Sequence, residues 1–487
     1  MKKSLILSLL LAVLGVCALP GALLLADSGK ERIQIREEVL SGNPAEAAGV
    51  VLRIPAHWGR RLLWDTEYVI GAGAEAESSF TFSAGQVFWK GSEERAQAFL
   101  RFQDEYNASF SEGYTALREE YGGFYEIIDS VARQTENGET CTETIWLEDY
   151  GFHYPLDLVT NFSVQVDGNY MQASGYLGDF FHIGTGEDIA EVTVKKNLQG
   201  QIEEAAFRQL DSDGDVEIVS AAADGGQGIY LAFGLRDRTT GEAVDRGQNR
   251  GIFYFPYETE DKGVRRVDLT QVKKLQDISD DINPLEMLTD KERKTLLLTV
   301  EDQEGFSLLV YRLEEETPIL SDRIPVKAGH GSFCRMWAED GGILLTFDDN
   351  SFSFVAEETG QYREWCRGVF PGSAEADADS GNPFPKEQEC LFDGKRLTLA
   401  AYEDWNSLNV LLAVYDGTSL TYSGRYVHSG NEDRDAESDP ACRLLPQGYR
   451  EGRPQDYWDV WEWGNWRYYT DENPEPLEIF RRAGQQP

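Results

Sequence analysis

The chain of 487 residues carries 85 acidic against 45 basic side chains, a formal charge of −40 at pH 7, and 41% of it is hydrophobic. That balance excludes nucleic acid as a partner, because phosphate binding needs concentrated Lys and Arg, and it keeps the bulk of the chain off an anionic lipid surface. The apolar content excludes global disorder and supplies a sizeable core.

The N-terminus carries the first element. Lys2 and Lys3 precede an uncharged stretch, Ser4–Ala26, long enough to cross a hydrocarbon core of about 30 Å. A cleaved signal peptide would want a small residue where Leu24 stands, and a lipoprotein at Cys17 would not want bulky Val16 before it. The expectation is therefore a signal anchor: a transmembrane helix within residues 1–26, lysines inside, and a single-pass cell-membrane protein with the rest of its chain extracytoplasmic. Contact with the membrane is expected through that helix alone.

Residues 27–125 read as an N-terminal β segment, in runs such as "GVVLRI" and "RLLWDTEYVI", with a short helical insert. "EGYTALREEYGG" predicts that insert, ended by Gly122–Gly123. "ETCTETIWLEDYGFHY" returns to strand. Over residues 126–440 one strand type recurs: "IYLAF" (Ile229–Phe233), "LLLTV" (Leu296–Val300), "ILLTF" (Ile343–Phe347) and "LTLAA" (Leu397–Ala401). Three of these run into acidic turns, "EDQEG", "DDNS" and "YEDWNS", then a second apolar strand and a more polar third, such as "ILSDRIPVK" or "YSGRYVH". In places a further strand precedes the motif, as "SFCRMWAED" does before "GGILLTFDD".

Four short strands per unit is what a propeller blade requires. Inner strands buried on both faces read as continuous apolar runs, while the outermost strand meets solvent and alternates. The expected fold is mainly β, a β-propeller of six to eight blades with seven as the single choice; a multi-hairpin β-sandwich is the alternative. "GGILLTFDDNSFSFVAEETGQY" resembles a blade of the broad WD40/quinoprotein-like propeller class, without a WD dipeptide, a kelch double glycine or an Asp box. The layout of apolar N-terminus, "ETIWLEDYGFHYPLDL" and blades is similar to uncharacterised membrane-anchored proteins of anaerobic bacteria, a resemblance that implies no activity.

Residues 441–487 form the last segment, an aromatic hairpin and tail. In "YWDVWEWGNWRYY", Gly464-Asn465 is a two-residue turn signal that sets Trp463 opposite Trp466 and Trp461 opposite Tyr468. Trp461, Trp463, Trp466 and Tyr468 then share one face. An exposed row could stack on sugar rings; burial against the body of the protein accounts for the same pattern and is the reading preferred.

Other chemistry is sparse. Asp211, Asp213 and Asp215 in "DSDGDVEIV" have the spacing that turns carboxylates onto Ca²⁺. Val216 stands where the loop needs glycine, and Ala222 where a bidentate Glu belongs. A tight acidic turn before a strand is the preferred reading, and no cofactor is expected. The five histidines are scattered, and no nucleophile elbow or phosphate loop occurs. "DGGQG" (Asp224–Gly228) joins two strands, so it is a loop rather than a dinucleotide site. Five cysteines lie beyond Cys17, an odd number that allows one bridge among Cys334, Cys366, Cys390 and Cys442. The functional expectation is a non-catalytic binding or scaffold module for a cell-surface protein or glycan. The alternative is a propeller-type carbohydrate hydrolase or lyase.

Overall fold

The computed structural model describes residues 24, 33–58, 62–71, 76–82, 98–102, 107–110, 122–150, 153–154, 156–160, 164–166, 177–178, 180–186, 188–209, 216–259, 265–279, 281–290, 294–314, 317–327, 331–339, 341–358, 360–371, 388–403, 408–429 and 477–481. These residues are mainly β, in seven separate sheets that are almost wholly antiparallel. The chain divides into two compact units, one of residues 1–93 with 327–487 and the other of residues 94–326.

Three sheets build the first unit. One runs, in spatial order, Phe333–Glu339, Gly342–Phe347, Ser351–Glu358 and Gln361–Val369. A second has five strands, Ile35–Gly42, Ser419–His428, Val410–Asp416, Leu397–Tyr402 and Gln388–Phe392. The third is ordered Glu478–Arg481, Val50–Trp58, Leu62–Val69 and Glu77–Phe82. The early strand Ile35–Gly42 thus joins a late sheet, and the late strand Glu478–Arg481 joins an early one. Arg53 ties the latter seam, donating to Glu478 at 2.9 Å and to Asp65.

Alternation explains why central strands are apolar on both faces. Along Leu397–Tyr402, Leu397, Leu399 and Ala401 enter a core with Phe352, Phe354 and Tyr415. Ala400 and Tyr402 face the other way, into a core with Val50, Leu52 and Ile54. Successive side chains of a strand point to opposite faces, so a strand between two cores reads as a nearly continuous apolar run, with a buried threonine, Thr398 or Thr346, as its one break. Every residue of that strand, and of Gly342–Phe347, is buried.

The same rule governs the second unit. On Gly228–Asp237, Ile229, Leu231, Phe233 and Leu235 enter one core, with Leu100, Leu158 and Phe253. Tyr230 and Ala232 enter another, with Leu296, Leu298 and Leu309. This strand lies between Val216–Asp224 and Ile252–Thr259. The next sheet runs Asn283–Asp290, Thr295–Asp302, Gly305–Glu314 and Thr317–Val326. A further sheet of Asn107–Phe110, Ile202–Gln209, Ile189–Lys196 and Thr140–Trp146 is covered by the helix Gly122–Gln134. Ile127, Ile128, Val131 and Ala132 form the helix's buried stripe, and Lys196 Nζ donates to Thr135 O at 3.0 Å beyond its last turn.

All four recurrent motifs lie one strand in from a sheet edge, each paired with the strand that precedes it and the strand that follows it, so the preceding strand expected in places is present at all four. "DGGQG" is a hairpin loop, as its two flanking strands require.

Three expectations are corrected. The single-pass anchor is overturned: no helix among the described residues is long and apolar enough to cross a membrane. The described α-helix Gly122–Gln134 has 13 residues and rises about 20 Å, short of a hydrocarbon core of about 30 Å. With the anchor goes the transmembrane part of the fold expectation and the cell-membrane location drawn from it; Ser4–Ala26, apart from Leu24, lies outside the described residues. Second, Gly122 and Gly123 open a helix instead of ending one. Third, "YSGRYVH" reads as a polar outer strand, yet Tyr422 and Tyr426 are fully buried: they enter the core with Val50, Leu52 and Ile54, and Ile35–Gly42 pairs along their strand.

Candidate functional site

The second strands of the repeats end in acid, and each acid has a defined task. Asp237 Oδ1 accepts the Thr239 and Thr240 amides at 2.8 Å each, which holds its carboxyl below the usual range. Asp302 accepts from Glu304 N at 2.7 Å and pairs with Arg323. Asp348 accepts from Ser332 N at 2.7 Å, and Asp349 from Gly331 N at 3.1 Å and Ser351 N at 3.0 Å. Glu403 Oε2 accepts from Asn409 Nδ2 at 2.9 Å and from Arg425 Nη2 at 2.7 Å. Arg425 reaches Glu38 on the neighbouring strand at 3.3 Å, and Asn409 Oδ1 accepts the buried His428 amide at 2.9 Å. These carboxylates fix the turns that carry them, as short acidic side chains do when they satisfy backbone donors.

The densest group lies in the unit of residues 94–326. Glu301 ends Thr295–Asp302, in register opposite buried Asn283. Burial pushes its carboxyl above the usual range, Arg236 opposes that shift, and Asp302 adds to it. Arg236 is paired with Glu217 across the adjacent hairpin, with Arg238 4.0 Å from the same carboxylate. Asp281 is held low by the Ser279 hydroxyl first, with Arg323 and Arg250 contributing. A carboxyl with a raised pKa is what general acid chemistry needs. Arg236 is held by Glu217 and Asp302 holds Arg323, and Asp302, adjacent to Glu301 in the strand, points to the opposite side.

Thiol chemistry finds no support. Cys141, Cys334, Cys366 and Cys390 are unbridged, so no disulfide joins Cys334, Cys366 and Cys390; Cys442 lies outside the described residues. Burial, then Asp348 and Asp349, pushes the Cys334 thiol up to about 11. Burial and then Glu364 push that of Cys366 to about 12. Such thiols are poor nucleophiles at neutral pH.

Asp211, Asp213 and Asp215 lie outside the described residues, as do Trp461, Trp463, Trp466 and Tyr468. Among the described residues no group of three or more His, Cys, Asp or Glu could hold a metal. The structure brings together one pair that spacing in the sequence leaves apart: His153 and His182, with ring centres 4.8 Å apart. Nothing in the sequence signals it, since the two lie on separate connecting segments. The Glu301 group had one signal, the "VED" that ends its strand.

No protein-family model and no curated protein matches the chain. Among solved structures it is similar to a Lactobacillus plantarum protein, at 14% identity and a TM-score of 0.24, over 46% of this chain and 69% of that one. It is similar to the β-propeller domain of Cps50 (Swd1) from Myceliophteria thermophila, at 12% identity and a TM-score of 0.21, over 49% and 83%. Chaetomium thermophilum Sqt1, bound to the N-terminus of ribosomal protein L10, overlaps at 8% identity and a TM-score of 0.22, over 43% and 60%.

Proposed function

We propose that the chain is a β-propeller, seven blades being our choice, and acts as a non-catalytic binding or scaffold module for a protein or glycan. The observation that carries this reading is the use of the repeated turn carboxylates. Asp237, Asp302, Asp348, Asp349 and Glu403 are spent on backbone amides, arginines and Asn409, so they shape rigid loops rather than stand ready for proton transfer. Preformed loops on a rigid sheet scaffold lower the ordering cost of binding. Strands that feed two cores each support the propeller, because a blade's inner strands lie between neighbours.

One observation favours the second reading, a carbohydrate hydrolase or lyase: the raised carboxyl of Glu301 beside Arg236. A single experiment separates the two. The full chain is titrated against a panel of purified polysaccharides and short peptides by calorimetry, and the same mixtures are followed for new reducing ends or unsaturated products. Binding without turnover is expected. Turnover lost in Glu301→Gln would replace this reading with the enzyme. Within the panel, Trp463→Ala identifies the partner class: a stable variant that loses polysaccharide affinity marks the aromatic row as a sugar platform, whereas a loss of about 3–5 kcal/mol in stability marks it as core.

A further inference from the structure

Two connecting segments of the unit of residues 94–326 bring imidazoles together. His153 follows the short 3-10 turn Glu148–Tyr150, and a backbone bridge pairs it with Gly184. Beside it, Tyr154 N donates to Ile183 O at 2.8 Å. His182, exposed at the surface, has φ of +55°, in the left-handed region where a side chain costs strain. Its amide donates to Gly178 O at 2.9 Å, which holds that conformation in place. The two rings lie edge to face, centres 4.8 Å apart and planes at 75°.

Two imidazoles bound to one ion at about 2.0–2.1 Å, with an angle between right and tetrahedral, have ring centres about 4.5–5.2 Å apart. The observed spacing falls inside that window. We propose that His153 and His182 form a two-histidine site for a borderline divalent transition metal such as Zn²⁺, Cu²⁺ or Ni²⁺, with water in the remaining positions. Imidazole selects these ions over Ca²⁺ and Mg²⁺, which want oxygen. Two imidazoles supply two ligands to such an ion, and the positions left to water make it exchangeable. Arg246, whose guanidinium lies against Gly186, opposes a cation, while the net charge of −40 draws cations to the chain. Bound metal would clip the segment after Tyr150 to the segment after Gly178 and stabilise the folded form by mass action. This inference is independent of the binding-module reading.

An edge-to-face contact between bare rings gives the same spacing, so the test separates nitrogen ligation from ring packing. The full chain, stripped with chelator, is titrated with ZnCl₂ by calorimetry and with CuSO₄ by electron paramagnetic resonance. One saturable site is expected, with hyperfine splitting from two nitrogens. His153→Phe keeps the ring contact and removes the ligand, and His182→Asn tolerates the left-handed backbone. Each should weaken binding about tenfold or more, while His330→Asn leaves it unchanged. No saturable site in the unsubstituted chain, full affinity in either variant, or an equal loss in His330→Asn overturns the proposal.

Discussion

Gln361–Val369 and Ser419–His428 are both fourth strands, each following two apolar strands of its sheet, and they meet opposite fates. Gln361–Val369 is a sheet edge: Cys366 is its one fully covered residue, and Val369 is 61% exposed. Ser419–His428 carries a fifth strand, Ile35–Gly42, paired along it from Ile35↔His428 to Gly42↔Tyr422. Under that cover Tyr422, Gly424 and Tyr426 share one face. Gly424 is required there, since a Cβ would lie 2.1 Å from the Tyr422 hydroxyl. The space it leaves lets the Tyr422 and Tyr426 hydroxyls meet at 3.0 Å, with Tyr422 donating to Glu37 at 2.8 Å. An outer strand is therefore polar or apolar according to what covers it, and the cover here comes from the other end of the sequence.

Substitutions can break or sharpen that contrast. Tyr426→Ala should have the largest effect, about 3–5 kcal/mol of stability in urea unfolding, as for deletion of a large core aromatic; a cost under about 1 kcal/mol would mean the fifth strand does not seal the sheet. Alkaline pH should act on the same seam. Burial first sets the Tyr422 and Tyr426 phenols above their usual value; Glu37 raises both further, while the hydroxyl contact between them raises Tyr426 and lowers Tyr422. A folded pKa above the unfolded value of about 10 means a contribution complete below pH 10 and lost as pH rises beyond it. Melting curves between pH 8 and 11 should therefore fall more steeply for the natural chain than for a Tyr422→Phe, Tyr426→Phe double variant; parallel curves would refute the assignment. Val369→Ala, on the open edge, should change stability by no more than about 0.5 kcal/mol, and a larger loss would show that edge to be covered as well.

Much of the sheet pattern is legible in the residues themselves. "LLLTV", "ILLTF" and "LTLAA" announce strands buried on both faces because alternation turns apolar side chains to both. Where cover or contact is remote, the signal vanishes. "YSGRYVH" reads as solvent-facing until Ile35–Gly42 is placed on it. The helix Gly122–Gln134 is hidden because Gly122-Gly123 reads as a stop signal, although Ile127, Ile128, Val131 and Ala132 carry a helical stripe. Glu478–Arg481 is too short, between Pro476 and the chain's last residues, to be recognised before its partner Val50–Arg53 is known. His153 and His182 meet through a backbone bridge that no spacing rule encodes, and Glu301 acquires its raised carboxyl from burial at the end of its strand.

The crossed pairing of the two chain ends has a consequence for synthesis on the ribosome. Glu37 and Tyr422 are 385 positions apart, so at about 5–20 residues per second the strand Ile35–Gly42 leaves the exit tunnel roughly 20–80 s before its partner exists. Residues 94–326 can condense during that interval from contacts already translated, but the two sheets of the other unit that join early to late strands cannot finish. A nascent Ile35–Gly42, with Val39 and Leu40 half-exposed even in the finished fold, is an unpaired edge waiting in the cell, and holding it back from wrong partners is work for a chaperone.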